Sequence, residues 1–260
     1  MSLPVGGRRA PPAVWAFDAV MVDLDGTLVD TLGDFVEALN RMLGDLPLAA
    51  NEGPAPQLSA DQVEPMVGKG SEHLIDSALR HVLMEIPRLA AQPTDLAARA
   101  AALYPAAWAS YQQHYLAING HFSAVYPGAK EALAAWHGSG LPMACLTNKP
   151  LVFAKQLLAA KGLDGFFVQV FGGDSFARKK PDPLPLLSTC AAIGVLPAHC
   201  LMVGDSSNDA RAARAAGCPV ALVSYGYNHG LPIEGVDADA HVDSLPELAL
   251  VRRGELRSRA

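Results

Sequence analysis

A chain of 260 residues, half of them hydrophobic and 18% charged, has the material for a sizeable core, in one large domain or two smaller ones, and is not disordered by default. A formal net charge of −6 argues against nucleic acid as a partner, because phosphate backbones demand a basic surface, while leaving room for a small anionic substrate at a locally positive site. No apolar run approaches the roughly 18 residues that cross a bilayer, so no membrane span is expected.

Residues 1–16 are rich in Pro, Gly and Arg and read as a flexible leader rather than a signal peptide. The four cysteines, Cys145, Cys190, Cys200 and Cys218, lack metal-type spacing. They read as buried thiols of a reducing compartment, which makes the cytoplasm the expected location.

In chain order, Val20, Met21 and Val22 form the first strand, apolar throughout as in the middle of a parallel sheet. It ends in Asp23 and Asp25, two residues apart and therefore on one side, followed by Gly26, which lets the backbone turn so that neither carboxylate is buried. A solvated Asp-Gly turn is the plain alternative.

Thr31 can cap a helix from Leu32 to Leu43. A proline-rich loop over 45–58 leads to Ser59-x-x-Gln62, a capping-box pattern, and a short helix ending near Gly68. Further helices are expected over 71–83 and 94–117, the latter broken or kinked at Pro105, with Trp108, Tyr111 and Tyr115 in a local core. Gly68-Lys69-Gly70 precedes a helix start, which suits an anion, and Lys69 adds a positive charge; a linking turn with a solvated lysine is the alternative.

From Tyr126 the pattern changes to strands and helices in alternation. Helices are expected over 129–137, 151–161, 184–193 and 210–216, and strands over 142–146, 166–171, 200–203 and 220–223, with one more strand and a helix in the tail. The fold class is therefore α/β, a doubly wound parallel Rossmann-like sheet. Its core comprises 17–31 and 126–260, and an all-helical cap is inserted over 32–125.

Strand ends in such sheets collect ligands. Asp23, Asp205 and Asp209 gathered there would repel one another by about 4 kcal/mol per pair at ~4 Å and an effective dielectric of ~20, so the cluster needs a cation. Oxygen-only donors favour a hard metal ion such as Mg²⁺.

Four motifs in fixed order carry a resemblance. They are Asp23-Leu24-Asp25-Gly26-Thr27, Leu146-Thr147-Asn148, Lys180-Pro181, and Gly204-Asp205 with Asp209. Together they resemble the haloacid dehalogenase-like hydrolase superfamily over about residues 17–250. Thr147-Asn148-Lys149-Pro150, Gly172-Gly173-Asp174, Lys179-Lys180-Pro181, Ala215-Ala216-Gly217-Cys218-Pro219 and Tyr225-Gly226-Tyr227-Asn228 resemble its phosphoglycolate phosphatase family most. Two departures stand out: Lys69 where Asn is expected, and the order Asp182-Pro183-Leu184-Pro185 after the lysine motif.

The resemblance implies a phosphatase working through an aspartyl-phosphate. Asp23 would be the nucleophile and Asp25 the acid and then the base. Lys180 and Thr147 would hold the phosphoryl oxygens, with Gly26 and Asn148 at the phosphate site. The metal would be held by the Asp23 and Asp205 carboxylates and the Asp25 backbone carbonyl, with Asp209 behind them. Gly68, Lys69 and Gly70 would meet the far end of a small phosphorylated acid such as 2-phosphoglycolate. A sugar phosphate or nucleotide is the alternative substrate, and a non-catalytic binding protein on the same fold is the alternative class. A monomer and a homodimer are both compatible with the sequence.

Overall fold

The computed structural model describes residues 9–48, 55–85 and 93–254. Two compact units emerge, one from Met1–Asp30 with Ala124–Ala260 and the other from Thr31–Ser123.

The first unit opens with strands β1 (Trp15–Phe17), β2 (Ala19–Val22) and β3 (Val29–Asp30). Every residue of β2 is buried. Val20 and Val22 join a cluster with Leu133, Trp136 and Leu157 on one face, and Ala19 and Met21 join Leu186, Met202 and Ala213 on the other. The short apolar run is thus the two-faced strand that its composition predicts.

The chain then enters the helical unit: α1 (Leu32–Asp45), α2 (Ala60–Val63), α3 (Ser71–Glu85) and α4 (Pro93–Ile118). Phe35, Leu39, Leu43, Ile75, Leu79, Tyr111 and Tyr115 fill its core, with Phe35 stacked on Tyr115. Trp108 is only half-buried and stacks on Tyr104. The Ser59–Gln62 capping box is present at α2. Thr31 occupies the N-cap position of α1 without its side chain capping the helix. Instead the Asp34 carboxylate accepts the backbone N–H groups of Gly120 and Phe122 at 2.8 and 2.7 Å.

Of the break or kink expected at Pro105, the break does not occur, because α4 runs through it. Burial of Ala107, Tyr111 and Tyr115 outweighs the ~3 kcal/mol that a proline costs inside a helix.

Returning to the first unit, the chain forms β4 (Ala124–Val125), antiparallel to β3, then α5 (Ala129–Gly138), β5 (Met143–Leu146), α6 (Leu151–Ala160), β6 (Gln169–Phe171) and α7 (Leu184–Ile193). β7 (Cys200–Gly204), α8 (Ser207–Ala216), β8 (Val220–Val223), β9 (Ala240–Val242) and β10 (Leu250–Arg252) complete it. Among the described residues the main sheet has the order β6-β5-β2-β7-β8-β9, all parallel.

Two expectations fail at the chain ends. Residues 1–8 of the proposed leader lie outside the described residues, but Trp15 and Ala16 are not leader: they pair in β1 with Leu250 and Val251 of β10. Among the described residues the tail holds no α-helix: a short 3₁₀ turn (Leu245–Glu247) precedes residues 250–252, which form that strand. Both elements depend on a partner more than 230 residues away, which local pattern cannot supply. All four cysteines are buried and free. No helix among the described residues is long and apolar enough to cross a membrane.

Candidate active site

β2 lies between β5 and β7, and Val22 is level with Cys145 on one side and Val203 on the other. The residues that follow the three strands therefore emerge together at the carboxyl edge: Asp23 from β2, Thr147 from β5 and Asp205 from β7. This is where strand order switches direction, the usual place for a ligand crevice.

The loop after β2 folds back on itself through Gly26 N–H to Val29 O (2.9 Å) and Leu28 N–H to Leu24 O (3.0 Å). Gly26 needs its glycine twice over. Its φ is +83°, and a Cβ would stand 2.2 Å from Asp205 Oδ2. Gly204 makes similar room, since a Cβ there would lie 2.4 Å from the Asp209 carboxyl carbon.

Asp23, Asp205 and Asp209 each bring a carboxylate oxygen within 4.8 Å of the other two. Lys180 sits among them with its ammonium 2.7 Å from Asp209 Oδ1, 3.1 Å from Asp23 Oδ1 and 2.8 Å from the Leu146 carbonyl. Burial opposes its charge, but Asp209 and Asp23 more than compensate and hold the ammonium above its ordinary pKa.

Asp23 is only 9% exposed, contrary to the expectation of an open carboxylate, because Lys180 and the flanking strand ends close around it. Burial pushes its carboxyl up to about 7, helped by the charges of Asp209 and Asp25 and resisted by Lys180 and the Leu24 N–H. Its Oδ1 accepts that N–H at 2.8 Å.

Asp205 is also pushed well up, by burial first and then by Asp209 and Asp23. Thr27 Oγ1 donates to its Oδ1 at 2.8 Å and the Tyr227 N–H to its Oδ2 at 2.6 Å. Asp209 is fully buried and heavily engaged. Besides Lys180 it accepts the Ser206 hydroxyl at 2.8 Å and the Asp205 and Ser206 N–H groups at 3.3 and 3.2 Å.

Three carboxylates against one ammonium leave excess negative charge in a nearly dry space. That imbalance and the all-oxygen donor set fit a hard divalent cation. Asp205 keeps a second lone pair on each oxygen for it. Asp209 is so committed to Lys180 and the start of α8 that it suits a supporting place.

Asp25 is held by Lys149, whose Nζ lies 2.8 Å from Oδ1. Thr147 is buried and its Oγ1 accepts the Lys149 N–H at 3.2 Å. The Asn148 amide donates to the Lys180 carbonyl at 2.8 Å, tying the loop after β5 to the lysine loop. Asp174 caps α6 by accepting the Leu151 N–H at 2.8 Å. Asp23, Asp25, Thr147, Asn148, Lys180, Asp205 and Asp209 are thus assembled around one strand edge.

The sequence pattern of the haloacid dehalogenase-like hydrolases matches residues 17–217. The chain belongs to this family. As a haloacid dehalogenase-like hydrolase it is 41% identical over 233 residues to the phosphoglycolate phosphatase of Thiobacillus denitrificans, covering 90% of this chain and 94% of that one. It is 42% identical over 230 residues to the plasmid-borne phosphoglycolate phosphatase of Cupriavidus necator, covering 88% and 90%. A crystal structure of a predicted phosphoglycolate phosphatase from Haemophilus somnus superposes with a TM-score of 0.77 at 30% identity, covering 94% of this chain and 98% of that one.

Gly68, Lys69 and Gly70 belong to the helical unit, in the turn before α3. Both glycines have positive φ, +99° and +90°, and Lys69 is exposed. The sequence reading gave no role to Lys149, Tyr227 or Ser206. Lys149 stands in one of the family-like motifs, but no local signal says that its side chain crosses to Asp25.

Proposed function

We propose that this hydrolase cleaves a small phosphomonoester through an aspartyl-phosphate on Asp23, with Mg²⁺ as its cation and 2-phosphoglycolate as its substrate. The observation that carries the reading is Lys180 held between Asp23 and Asp209 beside Asp205, with Asp25 standing two residues from the nucleophile. The two named relatives, similar over nearly their whole length, support the choice of substrate.

The Asp23 and Asp205 carboxylates and the Asp25 backbone carbonyl would hold the ion, and Asp209 would stay behind them. When bound, the ion supplies the positive charge that lets an anionic phosphate approach an anionic carboxylate.

Asp23 attacks phosphorus through its carboxylate, forming the Asp23 O–P bond as the ester P–O bond breaks. Lys180 and the Thr147 hydroxyl hold the non-bridging oxygens as charge builds on them, and Asn148 and Gly26 shape the loops around the phosphate. Asp25, oriented by Lys149, delivers the proton to the departing alkoxide. It then takes a proton from the water that cleaves the acyl phosphate and regenerates Asp23. Metal-independent dehalogenation is disfavoured by the carboxylate at position 25, which serves this proton relay.

In this reading residues 32–125 act as a cap that selects substrates, with Gly68, Lys69 and Gly70 meeting the carboxylate of the substrate. Four unpaired, buried thiols support a cytoplasmic location. Initial rates over a panel of phosphomonoesters, with Mg²⁺ present and then chelated, test the proposal. The expected result is a preference for phosphoglycolate that vanishes on chelation. Higher kcat/KM on a sugar phosphate or nucleotide would replace the substrate, and turnover unaffected by chelation would remove the metal.

A further inference from the structure

The loop after β8, residues 224–228, has no secondary structure of its own, yet it reaches two parts of the site at once. Through its backbone it meets Asp205: the Tyr227 N–H donates to Oδ2 at 2.6 Å. Gly226 packs so closely that a Cβ would stand 2.2 Å from the Asp205 Cβ and 2.5 Å from the Gly26 carbonyl. Through its two phenols it meets the loop that carries the nucleophile. Tyr225 donates to the Thr27 carbonyl at 2.9 Å, and Tyr227 donates to the Asp30 carboxylate.

Thr27 closes the circuit, since its hydroxyl donates to the other oxygen of Asp205. Further anchors come from the ring of Tyr126, 4.3 Å from that of Tyr225, and from Asn228, which accepts the Ser207 N–H at 2.9 Å.

We propose that Tyr227 is a positioning residue for metal binding, its phenol anchored on Asp30 so that its backbone N–H fixes the rotamer of the Asp205 carboxylate. The proposal rests on the reading of Asp205 as a metal ligand. A loop without its own ladder takes its position from such anchors. Ligand geometry for Mg²⁺ is demanding, so a displacement of a few tenths of an ångström at Asp205 is felt in affinity.

The test compares wild type with Tyr227→Phe, Asp30→Ala and the double variant, reading Mg²⁺ titrations by thermal shift and calorimetry on the substrate-free protein. Steady-state kinetics at several Mg²⁺ concentrations runs alongside. Losing one charge-assisted hydrogen bond should raise the half-saturating Mg²⁺ concentration roughly fivefold to twentyfold. At saturating Mg²⁺ kcat should recover, with little change in KM for phosphoglycolate. Asp30→Ala should match Tyr227→Phe, the double variant should be no worse than either, and Asp30→Asn, which keeps an acceptor, should restore most of the affinity. Lowered thermal stability with unaltered Mg²⁺ affinity in Tyr227→Phe would make the phenol merely structural and overturn the proposal. Absence of any Mg²⁺ response in the wild type would remove the metal reading itself, and the proposal with it.

Discussion

Lys149 reaches across from the loop after β5 and places its ammonium 2.8 Å from Asp25 Oδ1, with 2% of the lysine side chain and 11% of the aspartate side chain exposed. A buried pair of this kind leaves a costly orphan when one partner is removed. Lys149→Met should therefore lower kcat by about tenfold to a hundredfold, with a smaller effect on KM, because Asp25 loses its orientation rather than the substrate its phosphate contacts. Lys149→Arg, which keeps the charge in a different shape, should recover part of the loss. Near-normal kcat for Lys149→Met, measured with folded protein, would release Asp25 from this dependence.

Asp23→Asn and Asp25→Asn separate the two acids. Asp23→Asn should remove turnover by at least about a thousandfold on every ester, since an amide cannot accept the phosphoryl group. Asp25→Asn should do so while still binding phosphate, because its carboxylate moves protons rather than holding phosphorus. Product assays and phosphate binding by calorimetry distinguish the two, and near-normal turnover by Asp23→Asn would exclude the covalent route.

The buried acids also set a pH dependence. The Asp23 carboxyl moves from 3.8 up to about 7 on folding, and Asp205 moves in the same direction. The folded state therefore holds protons more tightly than the unfolded chain. Stability from Asp23 is complete below pH ~4 and is lost as pH rises through about 7, and Asp205 acts in the same sense. In chelator, the melting temperature should carry a falling contribution over that window. Added Mg²⁺ should raise it by a margin that widens toward pH 7, and Asp23→Asn should flatten the fall. Scanning calorimetry across pH 4–8 with and without Mg²⁺ checks this, and a Mg²⁺ increment independent of pH would contradict it.

Lys69 tests the proposed role of the helical unit. Lys69→Ala should raise KM for phosphoglycolate more than KM for an ester with a neutral tail, by a factor of about two to five for one exposed charge contact. Equal effects on both substrates would take Lys69 out of specificity.

The regular core was legible from local pattern. The bounds of α7 and β8 agree with the run of residues that predicts them, because a continuous apolar stretch between turn signals leaves little choice of state. β1 and β10 were not legible, since each is a strand only because the other pairs with it. At Pro105 local pattern leaves a break and a kink both open, and contacts from elsewhere in the helical unit hold α4 continuous.

By itself, the sequence determined which acids and which lysine end up at the sheet edge, because motif order and strand alternation constrain those positions. Only the tertiary structure decided which groups touch. Lys149 takes Asp25, Lys180 takes Asp23 and Asp209, and the Tyr227 backbone takes Asp205, across separations of 22 residues and more. Local propensity acts over a few residues, whereas these pairings arise when parallel strands bring distant loops to one edge and burial makes an unpaired charge too costly to leave.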